Sequence, residues 1–272
     1  MYGGCFYIDE LITLKPVRSV EKYMKIPQDV IYEKDIDEKR VLCFLYFLQN
    51  ITHGGDILYS CEHLIKWCGY KPNSRKRNKN DKSINDIFSD FIYWLYQNFY
   101  ISDFNIKDFY GNNLICCIAN VDLFLRPYKF GIIYDFELNK TENIKSRDLL
   151  LLVLSYLRLN TWNNKNGEHL RPEIVHRQYS KVSEDTGVSV YRIKKSIQTL
   201  CDIGILKTAT VPRFRDQSGA WHTEDMIIAN KYRYHWDDTT KTYLLDQNYD
   251  CDKELEFGVQ YLQQRKHGGL NH

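Results

Sequence analysis

Apolar residues along this chain fall into helical stretches separated by short alternating or turn-rich ones. VLCFLYFL after Arg40 and DLLLLVLSYL after Arg147 predict two strongly apolar helices, Arg40–Asn50 and Arg147–Leu159. Each is followed by two further periodic segments: Cys61–Cys68 and Ser83–Asn98 after the first, Ser180–Thr186 and Ser189–Asp202 after the second. Each third helix then runs into paired alternating segments of the kind that form a β-hairpin. These lie near Tyr100–Tyr110 and Asn113–Leu123 in the first half, and at Leu206–Arg215 and Trp221–Asn230 in the second. The turns between them are YGNN around Gly111 and Asp216-Gln217-Ser218-Gly219. A last helix is expected over Asp252–Lys266.

The two halves therefore repeat one pattern. Ile84, Ile87 and Phe91 precede Val190, Ile193 and Ile197 at one constant offset, and Gly111 precedes Gly219 at nearly the same one. KYMKIPQDVI leads the first copy and PYKFGIIYDFEL the second, each expected as a short lead strand. The expected fold is α+β, mostly α, with two pseudo-symmetric winged-helix domains, 1–126 and 127–250, meeting near Arg126-Pro127. Residues 251–272 supply the C-terminal helix and a loose tail. Asn160–His176, rich in Asn, Gly and charge, reads as an insertion between helices of the second half.

The stretch from Tyr179 to Leu206 carries the sharpest functional signal. Gly187 can close the first helix in the left-handed conformation, and Ser189 can cap the second through its hydroxyl. Val190, Ile193, Ile197, Leu200 and Cys201 follow at helical spacing, and Gly204 ends the run. This is a helix-turn-helix pattern, whose second helix commonly enters the DNA major groove. Opposite the apolar side stand Tyr191, Arg192, Lys195, Gln198 and Thr199, with Lys194 at the border. Arg and Lys suit guanine edges and phosphates, Gln suits adenine, and Tyr suits phosphate. Arg213 and Arg215 flank the hairpin turn, where a wing meets the DNA backbone or minor groove. The competing reading is the solvated face of a core helix in a protein-interaction module.

The first half is chemically different. Its third helix buries Ile84, Ile87, Phe88, Phe91, Ile92 and Leu95, and its outer face carries Asp86, Ser89, Asp90, Tyr93 and Gln97. Carboxylates repel phosphates, so this helix is expected to make protein contacts, aided by Tyr93, Trp94 and Tyr96. Just before it lies the most basic segment of the chain, where Arg75, Lys76, Arg77 and Lys79 could follow phosphates without sequence choice.

A hydrophobic content of 43% over 272 residues supports globular domains, and a net charge of +2 means that any basic footprint must be local. The N-terminus has no basic flank before an apolar run, and Leu149–Leu154 is too short to span a bilayer. A cytoplasmic protein without membrane partners is expected. The eight cysteines include no C-x-x-C pair and read as reduced thiols, many of them in the core. Cys61, His63 and Cys68 match no standard zinc spacing. There is no Walker loop, dinucleotide fingerprint or G-x-S-x-G. Gly131-Ile132-Ile133-Tyr134 resembles a nuclease motif in outline, lacks the partner tyrosine motif and reads as a core strand. Asp35-Ile36-Asp37-Glu38 could hold a metal, but is expected instead to complement the N-terminus of the helix beginning at Arg40. No enzyme activity, cofactor or metal is expected.

Tandem winged helices with an acidic first and a basic second recognition-type helix resemble the plasmid and phage replication initiators, over about Tyr23 to Tyr243. The locally specific stretch is Val182–Leu206, and the Asn160–His176 insertion departs from a minimal winged helix. The resemblance implies binding of double-stranded DNA at origin repeats, a homodimer through the N-terminal domain, and recruitment of a host helicase or primase. Two other functions fit the same residues, a winged-helix transcriptional regulator and a scaffold that does not bind DNA.

Overall fold

The computed structural model describes residues 23–76, 78, 80–102, 113–161, 172–215, 219, 221–222, 225–237, 239 and 242–266. They form two compact units, one of residues 39–128 and one of residues 23–38 together with 129–266. Among the described residues helix outweighs strand, about 47% to 20%, so the chain is α+β and mostly helical.

The second unit opens with β1 (Tyr23–Pro27) and the short α1 (Gln28–Tyr32). The first unit follows with α2 (Arg40–Gln49), β2 (Asp56–Tyr59), α3 (Cys61–Trp67), α4 (Ile84–Gln97), β3 (Ile101–Ser102), β4 (Ile115–Ala119) and α5 (Val121–Leu125). The chain then returns to the second unit with β5 (Phe130–Tyr134), α6 (Asp135–Thr141), α7 (Arg147–Leu159), α8 (Tyr179–Thr186) and α9 (Val190–Asp202). Strands β6 (Leu206–Val211), β7 (Phe214–Arg215), β8 (Trp221–His222), β9 (Asp225–Asn230), β10 (Tyr234–Asp237) and β11 (Thr242–Leu245) precede α10 (Cys251–Lys266).

The two lead segments, expected to open separate domains, pair with each other. β1 runs antiparallel to β5, from Tyr23 opposite Tyr134 to Pro27 opposite Phe130, and the Gln28 amide continues the ladder by donating to the Lys129 carbonyl at 2.9 Å. This pairing places residues 23–38 in the second unit rather than in a domain spanning 1–126.

In the first unit, α2 is buried from Arg40 to Leu48. Phe44 stacks on Phe124 at 5.0 Å and meets Tyr100 edge-on, while Phe47 packs against Tyr59 and Phe91. The sheet runs β2-β4-β3. Ile115, Cys117 and Ala119 point inward from β4, and Cys116 and Ile118 point to solvent. After Asn120 the expected strand gives way to α5, because the Asn120 side chain accepts from the Leu123 amide and starts a helical turn. Tyr110, Gly111 and Asn112 of the YGNN turn lie outside the described residues.

The long third helices end alike. After α9, Gly204 is left-handed (φ 70°), its amide donates to Cys201 O, and the Ile205 amide donates to Leu200 O. After α4, Phe99 is left-handed (φ 61°), its amide donates to Tyr96 O, and the Tyr100 amide donates to Leu95 O. Both are Schellman ends, but at Phe99 the conformation is borne by a residue with a side chain, which disfavours it by roughly 1–2 kcal/mol.

In the second unit, β6 and β9 pair from Leu206 opposite Asn230 to Val211 opposite Asp225. Beyond the break at Pro212–Arg213, β7 and β8 continue the hairpin. Part of the 160–176 insertion joins this sheet, with Val175 bridging Ile228. α10 covers one face, where Cys251, Leu255 and Leu262 pack with Ile174, Val211, Ile227 and Ala229.

At the centre of the second unit is a buried ion pair. The Arg158 guanidinium, on the last turn of α7, binds both oxygens of the fully buried Glu137 on α6. The same group donates to Ile132 O on β5 at 2.8 Å and to the Asn230 side chain on β9 at 3.0 Å, and lies over the Tyr134 ring. Glu137 also accepts from the Tyr134 amide, which starts α6. Beside it, α7 presses so closely on β5 that a Cβ on Gly131 would come within 2.2 Å of Ser155 O.

Removing one partner of such a pair strands the other charge. Glu137→Ala or Arg158→Ala is expected to lower unfolding stability by about 3–5 kcal/mol. Gly131→Ala is expected to cost about 1–3 kcal/mol through overpacking against backbone that cannot yield. Urea titration of each variant against wild type measures both.

Candidate nucleic-acid interface

α8 and α9 are joined through Gly187, which adopts φ 76° and donates its amide to Ser183 O at 2.9 Å. Glycine is required there twice over, since a Cβ would also meet the Lys34 Cβ at 3.1 Å. Ser189 holds the N-cap position with extended backbone, and the Ile193 amide donates to its carbonyl. Its hydroxyl, however, makes no capping hydrogen bond, so the expected side-chain cap is not formed.

α9 buries Ile193, Ser196, Ile197 and Leu200. Val190 is partly exposed and Cys201 half-buried, so the core face is turned slightly from the expected set. Ser196 fits inside because its hydroxyl is satisfied by Arg192 O at 2.9 Å. Tyr191 is 74% exposed, and Lys194, Lys195 and Gln198 are exposed with it. The Lys194 ammonium lies 5.2 Å over the Tyr179 ring, and the Gln198 amide donates to Asp202 at 2.8 Å. Thr199 is half-buried and donates to Lys195 O.

Arg192 is not an unengaged cation on this face. Its guanidinium grips the Glu38 carboxylate with two bonds, one of 3.1 Å and one from Nη2 to Oε1. Asp37 and Asp148 bring their carboxylates within 4.8 Å of Glu38 and of one another. The hydrogen-bonded Glu38 carboxylate, with Asp148 and Asp37 nearby, raises the Arg192 pKa further above its usual range. The acids expected to serve the helix beginning at Arg40 thus include one that serves α9.

On the hairpin, Arg213 lies 4.5 Å over the ring of Trp221, which is 59% exposed. Arg215 donates to Gly219 O at 2.8 Å, while Asp216, Gln217 and Ser218 of the expected turn lie outside the described residues. Sequence reasoning placed Trp221 only as the start of a strand. Its signal was an indole across a short hairpin from two arginines.

The basic segment before α4, expected to follow phosphates, is held locally by acids of that helix. Lys76 pairs with Asp86 at 3.1 Å, and Lys82 pairs with Asp90 at 2.7 Å. Asn85 accepts from the Asn73 amide at 2.9 Å and donates to the Ser74 hydroxyl. Asp86 is also half of a capping box with Ser83, and the Ser83 amide, helped by Lys76, holds its carboxyl below the usual carboxylate range. Arg75 is exposed; Arg77 and Lys79 lie outside the described residues. Trp94, expected as a protein contact, is instead buried between Phe91 and Tyr100, leaving Tyr93 and Tyr96 at the surface.

Cys61, His63 and Cys68 do not form a ligand cluster. His63 is bonded to the Tyr46 hydroxyl at 2.8 Å, and burial pushes the Cys61 thiol up to about 12. Among the described residues, the group that brings three ligand atoms together is Asp37, Glu38 and Asp148. No helix of the described residues is long and apolar enough to cross a membrane. No protein-family model, curated protein or solved structure matches the chain.

The Asn85 and Asp86 contacts imply that the basic segment is tethered. Asn85→Ala and Asp86→Asn are each expected to speed tryptic cleavage after Arg75 and Lys76 under native conditions, with circular dichroism of the intact chain unchanged. Cleavage at the wild-type rate would mean that these bonds do not restrain the segment.

Proposed function

We propose that this chain is a sequence-specific DNA-binding protein that initiates replication of a plasmid or phage-like element. The observation that carries the proposal is α9. It is set by a left-handed glycine turn against α8, presents Tyr191, Lys194, Lys195 and Gln198 to solvent, and leads directly into a hairpin bearing Arg213, Arg215 and Trp221. Cationic and amide side chains on one helix face, with arginines on an adjacent hairpin, suit base edges and the phosphates beside them.

The order of elements supports a winged-helix reading of both units. In each, the segment between the first and second helices pairs with the return strand of the hairpin: β2 with β4, and Val175 with Ile228. The matching Schellman ends of α4 and α9 support pseudo-symmetry. In the first unit, exposed Tyr93, Tyr96 and Phe99 at the end of α4, and Ile118 on the sheet, suit contact with a second copy or a host helicase or primase. The protein acts without catalysis, in the cytoplasm, by binding origin repeats and assembling partners there.

Selection from random duplex DNA tests the proposal. Direct repeats recovered near the protein's own gene support an initiator, and a single palindrome over a promoter would make it a transcriptional regulator. No retention at low salt would exclude DNA binding and leave a scaffold. On a selected site, Lys195→Ala is expected to weaken binding by about 1–3 kcal/mol if Lys195 reads a base edge. If it contacts phosphate, the salt slope is expected to fall by about 0.9 instead.

A further inference from the structure

Resting on the DNA-binding reading, we propose that Glu38 is an internal stand-in for DNA phosphate. In the free protein it occupies Arg192, and Arg192 reaches DNA only by exchanging this carboxylate for a phosphate. A carboxylate held by two guanidinium bonds has the fork geometry that arginine uses for phosphate, and Glu38 supplies it at the first turn of α9. Arg192 sits beside exposed Tyr191 and one turn before exposed Lys195, at the edge of the face that would approach DNA.

The pair is a surface contact rather than part of the core. The Arg192 side chain is 42% exposed and Glu38 20%, so both partners reach solvent. The surroundings decide what exchange requires. Asp37 and Asp148 stand within 4.8 Å of the Glu38 carboxylate, and Glu38 itself holds the Arg192 fork that a phosphate would need. Binding a phosphate therefore requires that Arg192 be released from Glu38.

That requirement has a thermodynamic signature. A cationic side chain that neutralises a phosphate releases condensed counterions and adds about 0.9 to the log–log salt slope. When the cation comes from an internal pair, its carboxylate competes with the phosphate, and the gain shrinks by the share of Arg192 that stays on Glu38. Arg192 then contributes little to the slope in wild type and fully once Glu38 is neutral.

The test measures binding of the full chain to its selected duplex across 50–200 mM salt. The proteins compared are wild type, Glu38→Gln, Arg192→Gln, the double variant Glu38→Gln/Arg192→Gln, and Glu38→Gln/Asp37→Asn. Thermal melting of each checks that the fold is kept. The expected result is a slope about 0.9 steeper for Glu38→Gln and binding up to about tenfold tighter at 0.1 M salt. Both gains vanish in Glu38→Gln/Arg192→Gln, and Arg192→Gln alone keeps the wild-type slope. Glu38→Gln/Asp37→Asn covers transfer of Arg192 to the neighbouring acid. If wild type binds DNA but both Glu38 variants keep its slope and affinity, or bind more weakly, Glu38 merely positions Arg192 and the proposal is overturned with the DNA reading intact. If no protein in the set is retained on DNA at low salt, the DNA reading itself fails and the proposal with it.

Discussion

The second unit depends on one buried charge pair. Arg158 can be taken out of water because Glu137 neutralises it and because Ile132 O and the Asn230 side chain accept two more of its protons. A buried guanidinium with fewer partners would be prohibitively costly. The pair therefore dictates geometry. β5, α6, the end of α7 and the end of β9 must converge on one point, and α9 and the hairpin inherit their positions from that convergence. Gly131 is part of the same constraint, since only a residue without a Cβ lets β5 lie against Ser155.

What could be read from sequence was what periodicity or a single residue decides. α7 was predicted at Arg147–Leu159, as found, because ten consecutive residues of it are buried and almost all are apolar. The α8–Gly187–α9 turn and the Gly204 end were legible because glycine is the residue that takes a left-handed backbone at least cost. The short helices α1, α5 and α6 were not: the five residues of α1 and of α5 make too few turns to display a period, and α6 begins inside the segment read as the second lead strand. β2 and the β10–β11 hairpin were missed as well, being only four residues per strand.

The candidate interface was half legible. Which face of α9 is exposed follows from helical spacing, and Tyr191, Lys194 and Lys195 are on it. Which cations are engaged is a matter of tertiary pairing between residues remote in sequence. Glu38 and Arg192 are separated by most of the chain, and nothing local to either announces the other. The same limit applied to the first unit, where Lys76 was read as a cation for phosphate although Asp86 on the following helix holds it. Counting charges along a segment measures supply and leaves out how much is already spent inside the molecule.

The β1–β5 pairing carries a consequence for the order of synthesis. Residues 39–128 are contiguous and can complete their own core as soon as they emerge from the ribosome. The second unit is assembled from both sides of that insert, so β1 must wait, unpaired, until Phe130–Tyr134 has been made. Until then, Tyr23, Met24 and Ile26 have no sheet to cover them. The N-terminal strand is thus the first described element to be translated, yet it can pair only after the whole first unit has been made, and a fragment beginning at residue 129 would lack the strand that pairs with β5.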